Sequence, residues 1–330
     1  MRVFKKKILV IQTAFIGDAI LATSVLEKLH DKFATAQIDF LIRKGNEALF
    51  AEHPFINKLY VWNKKGSKYK SLFKILQQIR KENYLYIVNL QRFLSTGFLT
   101  AFSKGGKKFG FEKNPFSFAF DKKFPHQIDN GKHEIERNHL LIQAITDEVP
   151  EMPKLYPSKE QFDKVSRYKS VDYVCISPAS VWFTKQLPAD KWIELIKKLE
   201  EKYKIYLLGG PGDKQLCEDI RIKAESPHAF NLAGKLSLLE SAALMHGSAM
   251  NYSNDSAPLH LASAMNAPIT AVFCSTIPGF GFGPLSKTSK MVEVDEKLSC
   301  RPCGLHGKRT CPKKHFKCAN DIDVNSLLFE

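Results

Sequence analysis

The sequence predicts an α/β protein built from two doubly wound parallel sheets, and three observations lead to this class. Strand-like and helix-like patterns alternate over residues 7–111, a proline-rich stretch interrupts them at 149–170, and the alternation resumes over 171–273. Such alternation is typical of parallel sheets, because consecutive parallel strands need a crossover helix. We therefore predict two Rossmann-like domains, 1–157 and 158–330, with a cleft where the carboxyl ends of both sheets face each other.

The elements follow from the period of the apolar residues. Buried parallel strands are continuous apolar runs, and helices repeat their apolar residues every three to four positions. The first domain has predicted strands at 7–13, 37–43, 58–62, 84–90 and 107–111, and predicted helices at 18–33, 45–52, 70–81 and 94–103. The second has predicted strands at 171–176, 205–209, 229–232, 249–252 and 269–273, and predicted helices at 190–203, 213–224, 238–247 and 256–265.

Composition restricts the class of protein. A hydrophobic content of 44% over 330 residues suffices for two cores, and the sequence has no run of roughly 18 apolar residues that would span a membrane. The basic residues of the N-terminus continue directly into a predicted strand without a small-residue cleavage site. We therefore predict a cytoplasmic protein without a signal peptide.

The positive charge is unevenly distributed. The net charge is +15, and residues 58–110 contain 12 Lys and Arg but one acid, Glu82. This field favours polyanions or an anionic membrane surface, although the segment fits no nucleic-acid-binding motif and a solvated surface is the simpler alternative. Aromatic residues interleaved with this charge either insert into lipid or belong to the core: Phe93, Phe98, Phe102, Phe109 and Phe111.

The segment "QTAFIGDAILAT" occupies the place of a phosphate-binding loop, directly after the first strand. It contains a single glycine, Gly17, which we expect to allow a tight turn, and the acid Asp18 follows. A carboxylate would repel phosphate there. From the turn alone, the simplest role of Asp18 is that of a helix cap.

Three strand-end turns of the second domain favour an anionic ligand. "SPASVWFTKQLPADKW" contains Thr184 and Lys185, "LLGGPGDK" contains Asp213, and "YSNDSAPLHLASAM" begins a helix with cap-forming residues at 254–256. Free N–H groups and the dipole at a helix start bind phosphate. Each turn alone is also explained by a solvated lysine or a capped helix. Together they suggest a site for a nucleoside diphosphate.

The segments "FIGDAILAT", "TKQLPADKW", "LLGGPGD", "LAGKLSLLE" and "NDSAPLHLA" resemble, in order and spacing, the motif series of the ADP-heptose:lipopolysaccharide heptosyltransferases, glycosyltransferase family 9. The resemblance extends from residue 7 to about 320. It implies the GT-B fold, an ADP-sugar donor on the C-terminal domain and an acceptor facing the N-terminal domain. It also implies inversion at the anomeric centre without a metal ion or other cofactor.

The resemblance also assigns roles to individual residues. On the acceptor side it implies that Asp18, beside Gly17, is the catalytic base, and that Lys185 stabilises the leaving diphosphate. Met245 matches a position that lines the adenine pocket, although its helical position also suits a core residue. The remaining implied donor contacts are Thr184, Asp213 near the ribose, and Asp255, Ser256, Ala257 and His260 around the phosphates and heptose.

The implied acceptor is the inner core of lipopolysaccharide, Kdo and heptose on lipid A. The enzyme would then lie in peripheral contact with the anionic inner membrane at its cytoplasmic face, with no nucleic-acid partner. A cysteine-rich tail at 298–320 and the "IGD" segment lean towards the type that adds a second heptose. A different nucleotide sugar, or a basic nucleic-acid-binding protein, are the alternatives. An NAD-dependent dehydrogenase is disfavoured because the first turn lacks G-x-G-x-x-G.

The tail contains Cys300, Cys303, Cys311 and Cys318. The first pair has the C-x2-C spacing of zinc ligands, whereas the second pair, separated by six residues, is loosely spaced for a zinc ribbon. Disulfides are disfavoured in a cytoplasmic protein. Structural zinc and reduced, packed thiols are therefore both open.

Overall fold

The computed structural model describes residues 6–128 and 130–329. The chain divides into two compact units. Unit 1 contains residues 6–128 and 132–156, and unit 2 begins at Pro157 and also takes up the short stretch at 130–131. The two units are described one at a time below.

Unit 1 is built on a six-stranded, fully parallel sheet in the order β3-β2-β1-β4-β5-β6. Its strand order reverses between β1 and β4, so the turns after these two strands open at the switch point of the sheet, where ligands bind in such folds. The strands are β1 (Lys7–Ile11), β2 (Gln37–Arg43), β3 (Ile56–Trp62), β4 (Tyr84–Asn89), β5 (Gly105–Phe111) and β6 (Lys122–Phe124).

The predicted helices of unit 1 are present with one exception. The helix predicted at 45–52 is wrong: a single 3-10 turn, Glu47–Leu49, stands there, after Gly45 with a left-handed φ of 103°. The helix predicted at 18–33 is divided at Ala22. The helices are α1 (Ile16–Leu21), α2 (Thr23–Lys32), α3 (Lys68–Ile79), α4 (Leu94–Phe102) and α5 (Glu134–His139).

Unit 2 repeats this plan in the order β12-β11-β10-β7-β8-β9, again all parallel. The order reverses between β7 and β10, so the turns after these strands form the second switch point. The strands are β7 (Tyr173–Ser177), β8 (Lys204–Leu207), β9 (Ala229–Asn231), β10 (Met250–Asn254), β11 (Ile269–Phe273) and β12 (Ser289–Glu293).

The helices of unit 2 cover its sheet, and the chain's end completes the core. Trp192 is fully buried, and Phe316 and Cys318 from the tail pack into the same apolar cluster, together with Leu327 beyond it. The helices are α6 (Lys159–Ser166), α7 (Ala189–Leu199), α8 (Lys214–Ala224), α9 (Leu238–His246), α10 (Ala257–Ala264) and α11 (Lys317–Asn320). Among the helices of the described ranges, none is both long and apolar enough to cross a membrane.

Candidate active site

The turn after β1 brings Asp18 to the switch point of unit 1. The side-chain oxygen of Gln12 accepts the N–H of Ala14 at 3.1 Å, and α1 begins two residues later. Gly17 is already the second residue of α1, so our expectation that it allows the turn is wrong: the turn lies before it. Asp18 is the third residue of α1, half-buried, in the first turn where a carboxylate is favoured by the helix dipole.

A second buried polar residue stands beside this turn. Gln91, two residues beyond β4, donates a hydrogen bond to the Gln12 side chain. The backbone N–H of Gln91 is in turn held by Asn89 at 3.0 Å. All three side chains are buried at the carboxyl edge of the sheet. The sequence patterns did not single them out, because isolated amides after a strand carry no motif.

Asp18 interacts electrostatically with both an acidic and a basic side chain. Glu134, at the start of α5, is buried, and its carboxylate accepts from the Nε of Arg137 at 2.8 Å. Burial raises the pKa of Glu134 to about 7, Arg137 opposes this, and the negative charge of Asp18 adds to the rise. Asp18 and Glu134 are therefore close enough for their charges to interact, and neither was linked to the other by sequence.

Lys64 supplies positive charge near Asp18. Its Nζ donates to the carbonyl oxygen of Thr13 at 2.6 Å, which joins the segment after β3 to the turn after β1. Burial lowers the pKa of Lys64 to about 8, Arg43 and Lys68 lower it further, and Asp18 partly compensates. A pocket of about 330 Å³ is lined by Arg43, Lys44, Gly45, Asn63, Lys64 and Lys65. Its four cationic side chains fit an anionic ligand.

In unit 2, Asn254 joins two strand-end turns. This fully buried residue at the end of β10 accepts the N–H of Leu187 at 2.8 Å and donates to the carbonyl of Pro178 at 2.7 Å. The loop 178–187, which contains Lys185, is thus held at the start of α10. Asn254 therefore positions the loop with its side chain, whereas we expected only a cap.

Lys185 and Asp255 form an ion pair at this switch point. The Nζ of Lys185 lies 2.7 Å from an Asp255 carboxylate oxygen, and the Thr276 hydroxyl donates to the same oxygen at 2.6 Å. Both charged side chains are mostly buried. The lysine is therefore fixed beside the first turn of α10, where a phosphate would meet its charge.

The cysteine-rich tail contacts the same loop, which sequence reasoning missed. The Thr184 hydroxyl accepts from the N–H of Lys308 at 2.7 Å and from Ser275 at 2.9 Å. Gly307 has a left-handed φ of 75°, and a Cβ there would lie 2.9 Å from the Lys185 side chain. The tail therefore helps to place Lys185, and the Thr184 hydroxyl is engaged in holding the tail.

Arg301 anchors this part of the tail. Its guanidinium donates to the carbonyl oxygens of Cys274 and Thr276, both at 2.6 Å, and pairs with Glu293. These carbonyls follow β11, beside the ion pair of Lys185. The only sequence signal was the position of a single arginine between two cysteines, which is compatible with many roles.

The other predicted donor residues occupy different environments. The Asp213 carboxylate accepts the N–H of Gly210 at 2.8 Å and is half-buried at the start of α8. Ser256 is the residue before α10, and Ala257 is its first residue. His260 is buried on the same helix. Met245 is 1% exposed on α9, as expected of a core residue, so it presents almost no surface to a ligand.

The four tail cysteines are free thiols, as are the other three of the chain. Cys318 is buried in the core of unit 2, the Cys303 thiol lies 3.3 Å from the Cys300 carbonyl, and the Cys300 sulfur lies 3.8 Å from His315 Nε2. In the part of the chain that the structure describes, no group of three or more His, Cys, Asp or Glu is arranged to hold a metal ion. The zinc alternative at Cys300, Cys303, Cys311 and Cys318 therefore has no ligand set here.

The chain is similar to known heptosyltransferases in both sequence and structure. The chain is 28% identical over 279 residues to lipopolysaccharide heptosyltransferase 3 of Escherichia coli K12, covering 79% of this chain and 80% of the relative. It is 25% identical to lipooligosaccharide heptosyltransferase 2 of Campylobacter jejuni, covering 98% of both. The structure of E. coli ADP-heptose lps heptosyltransferase II matches with a TM-score of 0.76 at 19% identity, over 97% of this chain and 98% of that one.

These comparisons confirm the fold class, because the last likeness extends over nearly the whole of both chains and the matched protein has a GT-B-type fold. A family model described as glycosyltransferase family 9 (heptosyltransferase) matches residues 72–315. That range includes Lys185, Asp255 and most of the cysteine-rich tail. The chain therefore belongs to glycosyltransferase family 9 (heptosyltransferase), and it is a glycosyltransferase.

Proposed function

We propose that this enzyme transfers heptose from ADP-heptose to the inner core of lipopolysaccharide, with inversion at the anomeric carbon and without a metal ion. The observation that carries the proposal is the placement of Lys185 at the switch point of unit 2, beside the first turn of α10. A buried lysine next to the positive end of a helix dipole suits a nucleoside diphosphate. The relatives named for heptosyl transfer to lipopolysaccharide, and the structural match named for ADP-heptose, support this substrate pair.

In the proposed reaction, the acceptor hydroxyl oxygen forms a bond to the anomeric carbon and gives its proton to the Asp18 carboxylate. The bond between that carbon and the β-phosphate oxygen breaks, and ADP leaves with the bonding electrons. Lys185 and the N-terminus of α10 stabilise the charge on the leaving diphosphate. We assign the acceptor to unit 1, where the cationic pocket around Lys64 suits the carboxylates and phosphates of the inner core. Peripheral binding at the cytoplasmic face of the inner membrane belongs to the same proposal.

The donor and acceptor are tested with purified enzyme and a matrix of substrates. We expect transfer from ADP-heptose, and not from UDP- or GDP-sugars, to a core oligosaccharide on lipid A, read by mass spectrometry. Comparison of acceptors that carry no, one or two heptoses identifies the core position to which the enzyme adds its sugar. The product should have the anomeric configuration opposite to the donor by NMR, and transfer should continue in excess chelator. Transfer only from another nucleotide sugar would refute the donor assignment.

The base is tested by Asp18→Asn. A general base contributes about 10²–10⁴-fold in rate, so we expect a loss of at least about 100-fold in kcat. The affinity for ADP-heptose should change less than twofold. Asp31→Asn, an exposed acid on α2 of the same unit, is the matched control. Near-normal turnover of the Asp18 variant would refute the assignment.

A further inference from the structure

Five phenylalanines of unit 1 form a connected cluster. They come from α3, α4 and the loop after β5. The ring centroid of Phe98 lies 5.6 Å from that of Phe73, 4.8 Å from that of Phe102 and 6.1 Å from that of Phe116. The centroids of Phe116 and Phe118 are 5.8 Å apart. We call Phe73, Phe98, Phe102, Phe116 and Phe118 the phenylalanine cluster. Three chain segments thus present one continuous aromatic face.

This cluster differs from the set expected from sequence. Phe109 and Phe111 lie in β5 and are 1% and 0% exposed, so these two belong to the core, which was one of the two alternatives for them. They face the core because they stand at the buried end of a sheet strand. By contrast Phe73, Phe102 and Phe118 are 54%, 48% and 78% exposed. Phe93 and Leu94, at the start of α4, are also exposed, by 59% and 61%.

A contiguous exposed aromatic face is costly in water, and on a folded protein it usually marks a surface that binds something apolar. Single exposed apolar residues need no such explanation, but here the rings touch one another. None of the five rings is among the residues described above at the candidate active site. The candidate active site therefore leaves this face without a role.

Exposed lysines frame the cluster. Lys70 and Lys74 flank Phe73 on α3, Lys104 follows α4, and Lys113 precedes Phe116. Acids are few here: in residues 58–110 the one acid, Glu82, is paired with Lys7 at 2.6 Å and Lys58 at 3.4 Å. Beyond that segment Glu112 precedes Lys113, and the exposed Asp121 follows Phe118 by three residues. Aromatic rings with basic residues around them match the two layers of an anionic bilayer surface, acyl chains below and phosphate headgroups above.

We propose that the phenylalanine cluster is the surface by which this enzyme binds an anionic lipid bilayer. The exposed rings enter the boundary between headgroups and acyl chains, and the surrounding lysines contact lipid phosphates. This deepens the proposed function by naming the membrane-binding surface. The binding assay needs no sugar transfer, so a failed membrane prediction is distinguishable from a failed substrate prediction.

The test is flotation of the full chain with vesicles of 75% phosphatidylethanolamine and 25% phosphatidylglycerol, and with pure phosphatidylcholine vesicles. We expect binding to the anionic vesicles that weakens with salt. The variant Phe102→Ser/Phe118→Ser should bind at least about tenfold more weakly, since two rings lose their apolar burial. Lys70→Gln/Lys74→Gln should bind about 30-fold more weakly at low salt, about fivefold per lysine.

Matched controls come from unit 2. Val181→Ser/Ile222→Ser removes two side chains that are 79% and 57% exposed, and Lys197→Gln/Lys223→Gln removes two exposed lysines. Both controls should bind vesicles like the unaltered chain. Phe118→Ser alone changes the most exposed position of the cluster. It tests the same surface if the double variant fails to fold.

The cluster variants should keep their ADP affinity and their transfer rate to a lipid-free core oligosaccharide, and lose rate only with acceptor embedded in vesicles. Vesicle binding by the folded cluster variants equal to that of the controls would overturn the proposal. So would binding of the unaltered chain to single-stranded RNA but not to vesicles, since the basic segment would then serve nucleic acid.

Discussion

The buried carboxyl group of Glu134 should make the stability of unit 1 depend on pH near neutrality. Replacement by glutamine keeps the shape of the side chain and an oxygen that accepts from Arg137, which donates to Glu134 at 2.8 Å. The amide of glutamine does not ionise, so the substitution removes the protonation equilibrium at this position. Comparison of the unaltered chain with Glu134→Gln therefore isolates the effect of a single proton.

The magnitude follows from the shift. Burial raises the pKa of Glu134 from 4.5 to about 7 in the folded protein. Between these pH values the folded state holds a proton that the unfolded chain has released. The contribution of this proton to the free energy of unfolding is therefore complete below pH 4.5 and is lost as the pH rises through 7. A shift of this size corresponds to about 3 kcal/mol. Relative to Glu134→Gln, the unaltered chain should lose about that much free energy of unfolding from pH 4.5 to pH 8.

The assay is urea unfolding at a series of pH values, read by hydrogen exchange of peptides from β1 and β4. These peptides report unit 1 separately from unit 2. Glu148→Gln, an exposed acid in the same unit, is the control. A difference between the unaltered chain and Glu134→Gln that stays flat from pH 4.5 to 8 would refute the buried, proton-binding carboxyl.

Three further predictions concern the two switch points. Gly307→Ala should weaken ADP binding about tenfold, because the added Cβ displaces Lys185. The control is Gly304→Ala, which has a similar φ of 83° and nothing within 4 Å of its Cβ, so it should lose about 1 kcal/mol of stability and keep its ADP affinity. Equal ADP affinities of the two variants in calorimetry would contradict this prediction. Asn254→Ala should destabilise unit 2 by about 2–4 kcal/mol in urea, because two buried backbone groups lose their partner; a change below 1 kcal/mol would count against it. Lys64 should lose its proton near pH 8, so the KM for acceptor should rise between pH 7 and 9, while Lys64→Gln should show a high KM at both pH values.

The order of strands and helices could be predicted because it follows from local patterns. The strand predicted at 269–273 matches Ile269–Phe273, since a buried central strand needs a continuous apolar run. The missed strands, β6 and β12, lie at the edges of their sheets and include lysine or glutamate, so they lack such a run. Helix α5 was missed because its six residues are too few to show a helical period.

The residues of the candidate site that could be predicted are those that belong to a motif of consecutive residues. The acid after β1 and the lysine after β7 were found because each follows a strand whose carboxyl end must open at the edge of the sheet. Their proposed roles as base and leaving-group stabiliser rest on family resemblance, and Asp18→Asn and donor-binding assays remain their tests. Turn positions alone do not distinguish a catalytic acid from a capping one.

By itself, the sequence determined two α/β units, their strand-end turns and an excess of positive charge in unit 1. Only the tertiary structure decided which side chains meet. It paired Lys185 with Asp255, set Gly307 of the tail against Lys185, and divided the phenylalanines of unit 1 into buried and exposed sets. The physical reason is that periodicity reports the environment of a residue along its own element. A contact between distant segments depends on how whole elements pack, which no local pattern encodes.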